Sequence, residues 1–214
     1  MGQRSQIRER LRAATADAHE RLHRHAGFAA AADGGIALLA YRRLLARLFG
    51  FHRPFEIAIG AAARFAPGVD LEKRRRSPML EADLAALGAS RAEIAEAPLC
   101  DVIAAPASAG ELLGALYVIE GSTLGGVHIA RALGPVCASL EGGGRAFFLG
   151  YGDSHGAMWR AFLDQLDAAA TSDAEQARIV EGAISTFLAF ERWMEDWNIE
   201  GAIARWAGAE AATG

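Results

Sequence analysis

Leu116-Tyr117-Val118-Ile119-Glu120-Gly121-Ser122-Thr123-Leu124-Gly125-Gly126 lies inside an apolar stretch of helical length, bounded by Ser108 upstream and Gly134-Pro135 downstream. Three glycines interrupt it, and each interior glycine costs a helix about 1 kcal/mol relative to alanine. Something must offset that cost. Glycines four and five apart strip the side chains from one stretch of a helix, so its backbone can come close to whatever faces it. Close packing of a second helix is the plainest reason for such a pattern.

The rest of the chain also reads as helix. Residues that favour pleated sheets never gather into alternating runs, and Pro is scarce, at 6 of 214 residues. From Gln6 to about His25, apolar residues at Ile7, Leu11, Ala14, Ala18 and Leu22 mark one stripe of a helix that Gly27 should end. The stretch from Ile36 to Phe65 carries Leu44, Leu45, Leu48, Phe49, Phe55 and Ile59, with Pro54 placed to kink or split it. Ser90/Glu93, Ser108/Glu111 and Ser172/Glu175 have the spacing of capping boxes, and Ser77-Pro78 marks another helix start. Two further helices are expected over Ser154–Ala170 and from Ser172 to about Trp197. The expectation is an all-α single domain over 1–214, with its core over 7–197 and an Ala/Gly tail over 198–214.

Composition narrows the function. Twenty-two basic against 26 acidic residues give a formal charge of −4, which argues against nucleic acid as a partner. The run Arg74-Arg75-Arg76 reads as a solvated turn. Two cysteines with no Cys-x-x-Cys offer neither a zinc ribbon nor a disulfide framework. The amino terminus lacks an apolar signal stretch, and no run of ~18 apolar residues suggests a membrane span, so a cytoplasmic protein without a membrane partner is expected.

Chemistry points first to the histidines. Three of six, His19, His23 and His25, fall close together in the first helix. His19-Glu20-Arg21-Leu22-His23 matches the zinc-binding pattern of metallopeptidases, but no third ligand is evident. His23, His25, His52, His128 and His155 read as surface histidines. His19 differs in its small neighbours, which leave room for a flat ligand, and in Arg12, two turns upstream on the same face. That arrangement suits an iron ligand with a nearby cation.

Leu11-Arg12-Ala13-Ala14-Thr15-Ala16-Asp17-Ala18-His19 and the Leu116–Gly126 segment together resemble the bacterial haem oxygenases, particularly those encoded beside bacteriophytochromes. Phe147-Phe148-Leu149-Gly150-Tyr151-Gly152, Trp159-Arg160-Ala161-Phe162 and Phe187–Trp193 are similar to later segments of that family, so the resemblance spans about Ile7 to Trp197. It implies a helical bundle with haem sandwiched between a proximal helix bearing His19, the iron ligand, and a kinked distal helix containing Gly121, Ser122, Gly125 and Gly126. By the same resemblance Arg12 is a counter-ion for a propionate, Arg160 is a second candidate, and Tyr117 hydrogen-bonds in the distal pocket or packs in the core. Haem would be cofactor and substrate, consumed with O2 to give biliverdin, CO and ferrous iron. Electrons would come from a ferredoxin- or flavodoxin-type reductase, and a bacteriophytochrome could accept the biliverdin. A carrier or sensor of the same fold is the alternative. Animal members carry an aspartate after the first distal glycine, where this chain has Ser122.

Overall fold

In a computed structural model, residues 3–141, 143–195 and 197 are described; the expected tail over 198–214 lies outside them. Among the described residues there is no strand. The helices are α1 (Gln3–His23), α2 (Ala26–Ala32), α3 (Leu38–Ala61), α4 (Ser77–Ala86), α5 (Arg91–Ala95), α6 (Ala109–Ala132), α7 (Ala146–Leu149), α8 (His155–Ala169) and α9 (Asp173–Met194). Short 3-10 turns occupy Ala63–Phe65, Glu72–Arg74 and Gly152–Ser154.

Helices α6 and α9 form the central pair, and glycine sets how close they come. A Cβ on Gly114 would stand 1.9 Å from the Ile179 carbonyl oxygen, and one on Gly182 would stand 2.3 Å from that of Glu111. Neither position tolerates a side chain, because the obstacle is backbone. Around this pair Ile7, Leu11, Phe51, Leu112, Leu116, Phe162 and Ile179 build one core. Tyr41, Leu44, Leu45, Leu80, Leu133, Phe148 and Met194 build a second, against α3 and α4.

The caps follow the spacing read from sequence, with local variations. Ser90 and Glu93 make a complete capping box. Ser108 and Ser172 accept the amides of Glu111 and Glu175, each at 3.2 Å, while the Glu111 carboxylate reaches back one residue further, to the Ala107 amide. Ser77 is the first residue of α4 and Pro78 the second. That helix start is capped by a carboxylate from α3, since Glu56 accepts the amides of both Arg76 and Ser77.

Three expectations are corrected. Pro54 does not split the second long stretch: α3 runs unbroken through it. Proline removes the bond its amide would give to the carbonyl four residues earlier, and that carbonyl, Gly50 O, instead accepts the Cys100 amide at 2.8 Å. Gly27 does not end α1; it lies inside α2, where a Cβ would stand 2.8 Å from the Trp197 ring. The arginine run is not a solvated turn. Arg74 and Arg76 are buried, because Arg74 meets Glu120 of α6 at 2.6 Å and Arg76 lies 4.0 Å over the Tyr151 ring.

Candidate haem site

Helix α1 is held in place by polar ties to its neighbours. Arg8 pairs with Asp167 of α8, and Arg10 with Asp173 at the start of α9. Arg21 makes a two-pronged pair with Glu191 of α9, at 2.7 and 2.9 Å. Ile7, Leu11 and Thr15 face the core, and the Thr15 hydroxyl donates to the Leu11 carbonyl at 2.8 Å. The motif's leucine and threonine therefore fix the helix, while Arg12 and His19 remain exposed.

No hydrogen bond engages either ring nitrogen of His19 among the described residues. The pKa of His19 is below the ordinary imidazole value, chiefly through partial burial and then through the neighbouring His23, against a smaller opposing pull from Glu20. A neutral ring is the form that binds iron. Glu20 is not positioned as its acceptor, being engaged by the Arg24 guanidinium at 2.9 and 2.7 Å. The near group is His23, whose ring centroid is 4.5 Å from that of His19. The four-residue spacing of the His-Glu-x-x-His stretch places these two rings one turn apart. No cluster of three or more His, Cys, Asp or Glu side chains suited to a metal occurs among the described residues, so the His19/His23 pair has no third ligand for zinc.

Helix α6 carries its glycines for two different reasons. Gly110 and Gly114 lie in the contact with α9, and a Cβ on Gly126 would stand 2.9 Å from the Phe148 carbonyl. Around Gly125, by contrast, nothing among the described residues lies within 4 Å of the place a Cβ would take. At Gly121 the one neighbour among the described residues is the edge of the Trp159 ring, at an ordinary 3.8 Å. Leu124 and Val127 beside them are exposed, and half of the apolar window of α6 is buried. Among the described residues α6 is the one helix long and apolar enough to cross a membrane. Ser122 is exposed and donates its hydroxyl to the Ile119 carbonyl at 2.8 Å, leaving its lone pairs to accept.

Tyr117 is half-buried, and its ring lies 5.7 Å from that of Trp159 on α8. Burial raises its phenol pKa, and the Arg12 guanidinium opposes that shift. Leu11 of α1 and Leu116 of α6 belong to one core, against which Tyr117 packs, and both helices lie on α9. Trp159, missed as a separate candidate in the sequence, thus joins Tyr117 and Gly121. Arg160 does not join them: it is exposed, with its guanidinium folded back over Gly156 of its own helix. His128 is exposed, as expected. His52 is not a surface histidine; it is 4% exposed, and burial together with Arg76 pushes its pKa down to about 3.

Behind the open stripe of α6 lies a buried polar group that the sequence did not reveal. Glu120 is 1% exposed and accepts the Tyr151 hydroxyl at 2.8 Å while facing Arg74. The Arg74–Glu120 contact is close but not aligned as a hydrogen bond, and Arg76 Nε and Nη2 and His52 Nδ1 also lack partners. Buried polar atoms left in this state are ordinarily satisfied by ordered water.

Residues 5–196 match the Heme oxygenase family. The chain belongs to that family. It is 36% identical over 124 residues to a heme oxygenase of Xanthomonas campestris pv. campestris (strain 8004), a match covering 58% of this chain and 69% of the relative. Its fold is that of heme oxygenase-1 from the cyanobacterium Synechocystis sp. PCC6803, solved in complex with heme. The two superpose with a TM-score of 0.69 at 20% identity, covering 99% of this chain and 98% of the other. The sequence-based assignments of all-α class and haem oxygenase family therefore stand.

Proposed function

We propose that this haem oxygenase holds haem between α1 and the open stripe of α6, and that it opens the ring with O2 and external electrons to give biliverdin, CO and ferrous iron. The observation that carries the site is Gly125. It lies inside a 24-residue helix and no atom of the described residues comes within 4 Å of the place its side chain would take, so packing among the described residues does not explain the helical cost of this glycine.

The residues present fit the group. His19 supplies a neutral imidazole for iron, with His23 beside it. Arg12 supplies a cation for a propionate, where a guanidinium can bind both carboxylate oxygens. Gly121 and Gly125 bring bare backbone to the opposite face, and Leu124, Val127 and Trp159 border it with apolar surface. Bound iron supplies the O2 chemistry. Ser122 stands in place of the animal enzymes' aspartate; with its proton given to the Ile119 carbonyl, it can orient water only by accepting from it. The donor of electrons is a separate protein of ferredoxin- or flavodoxin-reductase type, and a bacteriophytochrome is the proposed recipient of biliverdin.

The test is a haemin titration of the purified protein and its His19→Ala variant, followed by ascorbate under air. The wild-type chain should show a Soret band that decays as the solution turns green, and the variant should lack the band. A band that persists with reductant and air would mark a carrier, and an unchanged band in His19→Ala would remove that residue as ligand.

A further inference from the structure

His23 completes the His-Glu-x-x-His stretch, yet haem binding by His19 gives it no task of its own. Both imidazoles are exposed on one face of α1, a turn apart, with ring centres separated by 4.5 Å and planes inclined at 66°. No hydrogen bond occupies a ring nitrogen of either among the described residues. The cations of the same turn are neutralised, Arg24 by Glu20 and Arg21 by Glu191, so they do little to repel an incoming metal ion.

The spacing of the rings suits a shared ion. An imidazole nitrogen binds a transition metal at about 2.0–2.1 Å with its ring centre roughly 1.1 Å beyond, so two rings at right angles around one ion have centres about 4.5 Å apart. That is the separation observed, and exposed side chains are free to turn one nitrogen each toward the ion. A zinc peptidase site needs a third protein ligand, which is lacking among the described residues. Two adjacent imidazoles with water in the other positions suit instead the ions that favour tetragonal nitrogen and oxygen ligands, Cu2+ and Ni2+.

We infer that, in the chain without haem, His19 and His23 together bind one divalent transition ion of the copper(II) or nickel(II) class, with water completing its shell. Such an ion competes with haem because His19 serves both, and this consequence alone rests on the proposed haem site.

The test uses the full chain without haem, titrated calorimetrically with NiCl2 at about pH 7.5, where an ordinary imidazole is mostly neutral. One Ni2+ should bind per chain, and CuCl2 should bind more tightly, in the usual order of these ions. His19→Ala and His23→Ala should each weaken Ni2+ at least tenfold and, being exposed positions, keep the wild-type melting temperature. His128→Ala, at an exposed histidine outside the pair, should leave Ni2+ binding unchanged. Saturating Ni2+ should weaken the wild-type haemin titration at least threefold and leave that of His23→Ala unmoved. Nickel binding that needs both histidines but does not disturb the haemin titration would uphold the metal site and take His19 out of the haem site. No saturable nickel binding, binding undiminished in either variant of the pair, or equal weakening by His128→Ala would overturn the assignment.

Discussion

Replacing Gly125 separates the two reasons a helix can carry glycine. With no atom of the described residues within 4 Å of the added Cβ, Gly125→Ala gains helix propensity and meets no clash among them, so the haem-free protein should be more stable by up to about 1 kcal/mol. In a chain of this size that raises the melting temperature by roughly 2–4 °C. Gly114→Ala is the opposite case: its Cβ would lie 1.9 Å from the Ile179 carbonyl oxygen, and forcing a group into close-packed backbone costs about 1–3 kcal/mol or more. Thermal unfolding followed by far-ultraviolet circular dichroism reads both.

The functional half of the experiment uses Gly125→Leu. Leucine is a good helix former, and the space around Gly125 is open, so the fold should persist with a melting temperature at or above that of wild type. Haem affinity, read from the Soret titration, should fall by tenfold or more, because on the proposed placement the side chain occupies the volume of the ring. If Gly125→Ala lowers the melting temperature, the glycine is a packing residue after all. If Gly125→Leu keeps both fold and full haem affinity, the ring does not lie on this stripe.

Burial holds the folded His52 pKa at about 3, against an unfolded value near 6.5. The unfolded chain therefore binds the extra proton between those values, and stability falls as pH drops below about 6.5, by up to about 1.4 kcal/mol per unit. Urea unfolding at pH 7 and pH 5 should show about 2 kcal/mol more loss for wild type than for His52→Leu, and equal losses would refute this. Glu120→Ala leaves the Arg74 guanidinium buried without its counter-charge and should cost roughly 3–5 kcal/mol in urea unfolding at pH 7; a cost below 1 kcal/mol would show that water already compensates Arg74. Arg12→Glu places like charge beside a propionate and should weaken haem binding severalfold in the Soret titration, whereas unchanged affinity would take Arg12 out of the site.

Much of the fold was legible because helix signals are local. Ser90, Ser108 and Ser172 each begin a helix and each accepts the amide three residues on, so spacing alone located those starts. What escaped were features whose cause lies far along the chain. Pro54 reads as a break until Cys100 is seen to take up the carbonyl it leaves free. Arg74 and Arg76 read as solvated until α6 and Tyr151 bring Glu120 and an aromatic face to them. His52 looks like its exposed counterparts until Phe51, Phe147 and Arg76 enclose it. For the site, a motif could nominate His19, Arg12 and the glycines, but only geometry turns Arg160 away and brings Trp159 in.

Five glycines in α6 also show why residue type alone could not decide function. Gly110, Gly114 and Gly126 are demanded by backbone or side-chain atoms of the same chain, at 2.8, 1.9 and 2.9 Å from the missing Cβ, whereas Gly121 and Gly125 have no such demand. The close seat on α9 at Gly114 can stabilise the helix enough for its later turns to remain bare, so the two sets are linked. A weaker seat would make the bare turns costly to keep helical. On this argument Gly114→Ala should lower haem affinity as well as stability, by loosening the helix that presents Gly121 and Gly125, and Gly125→Ala should restore part of the lost stability without restoring haem binding.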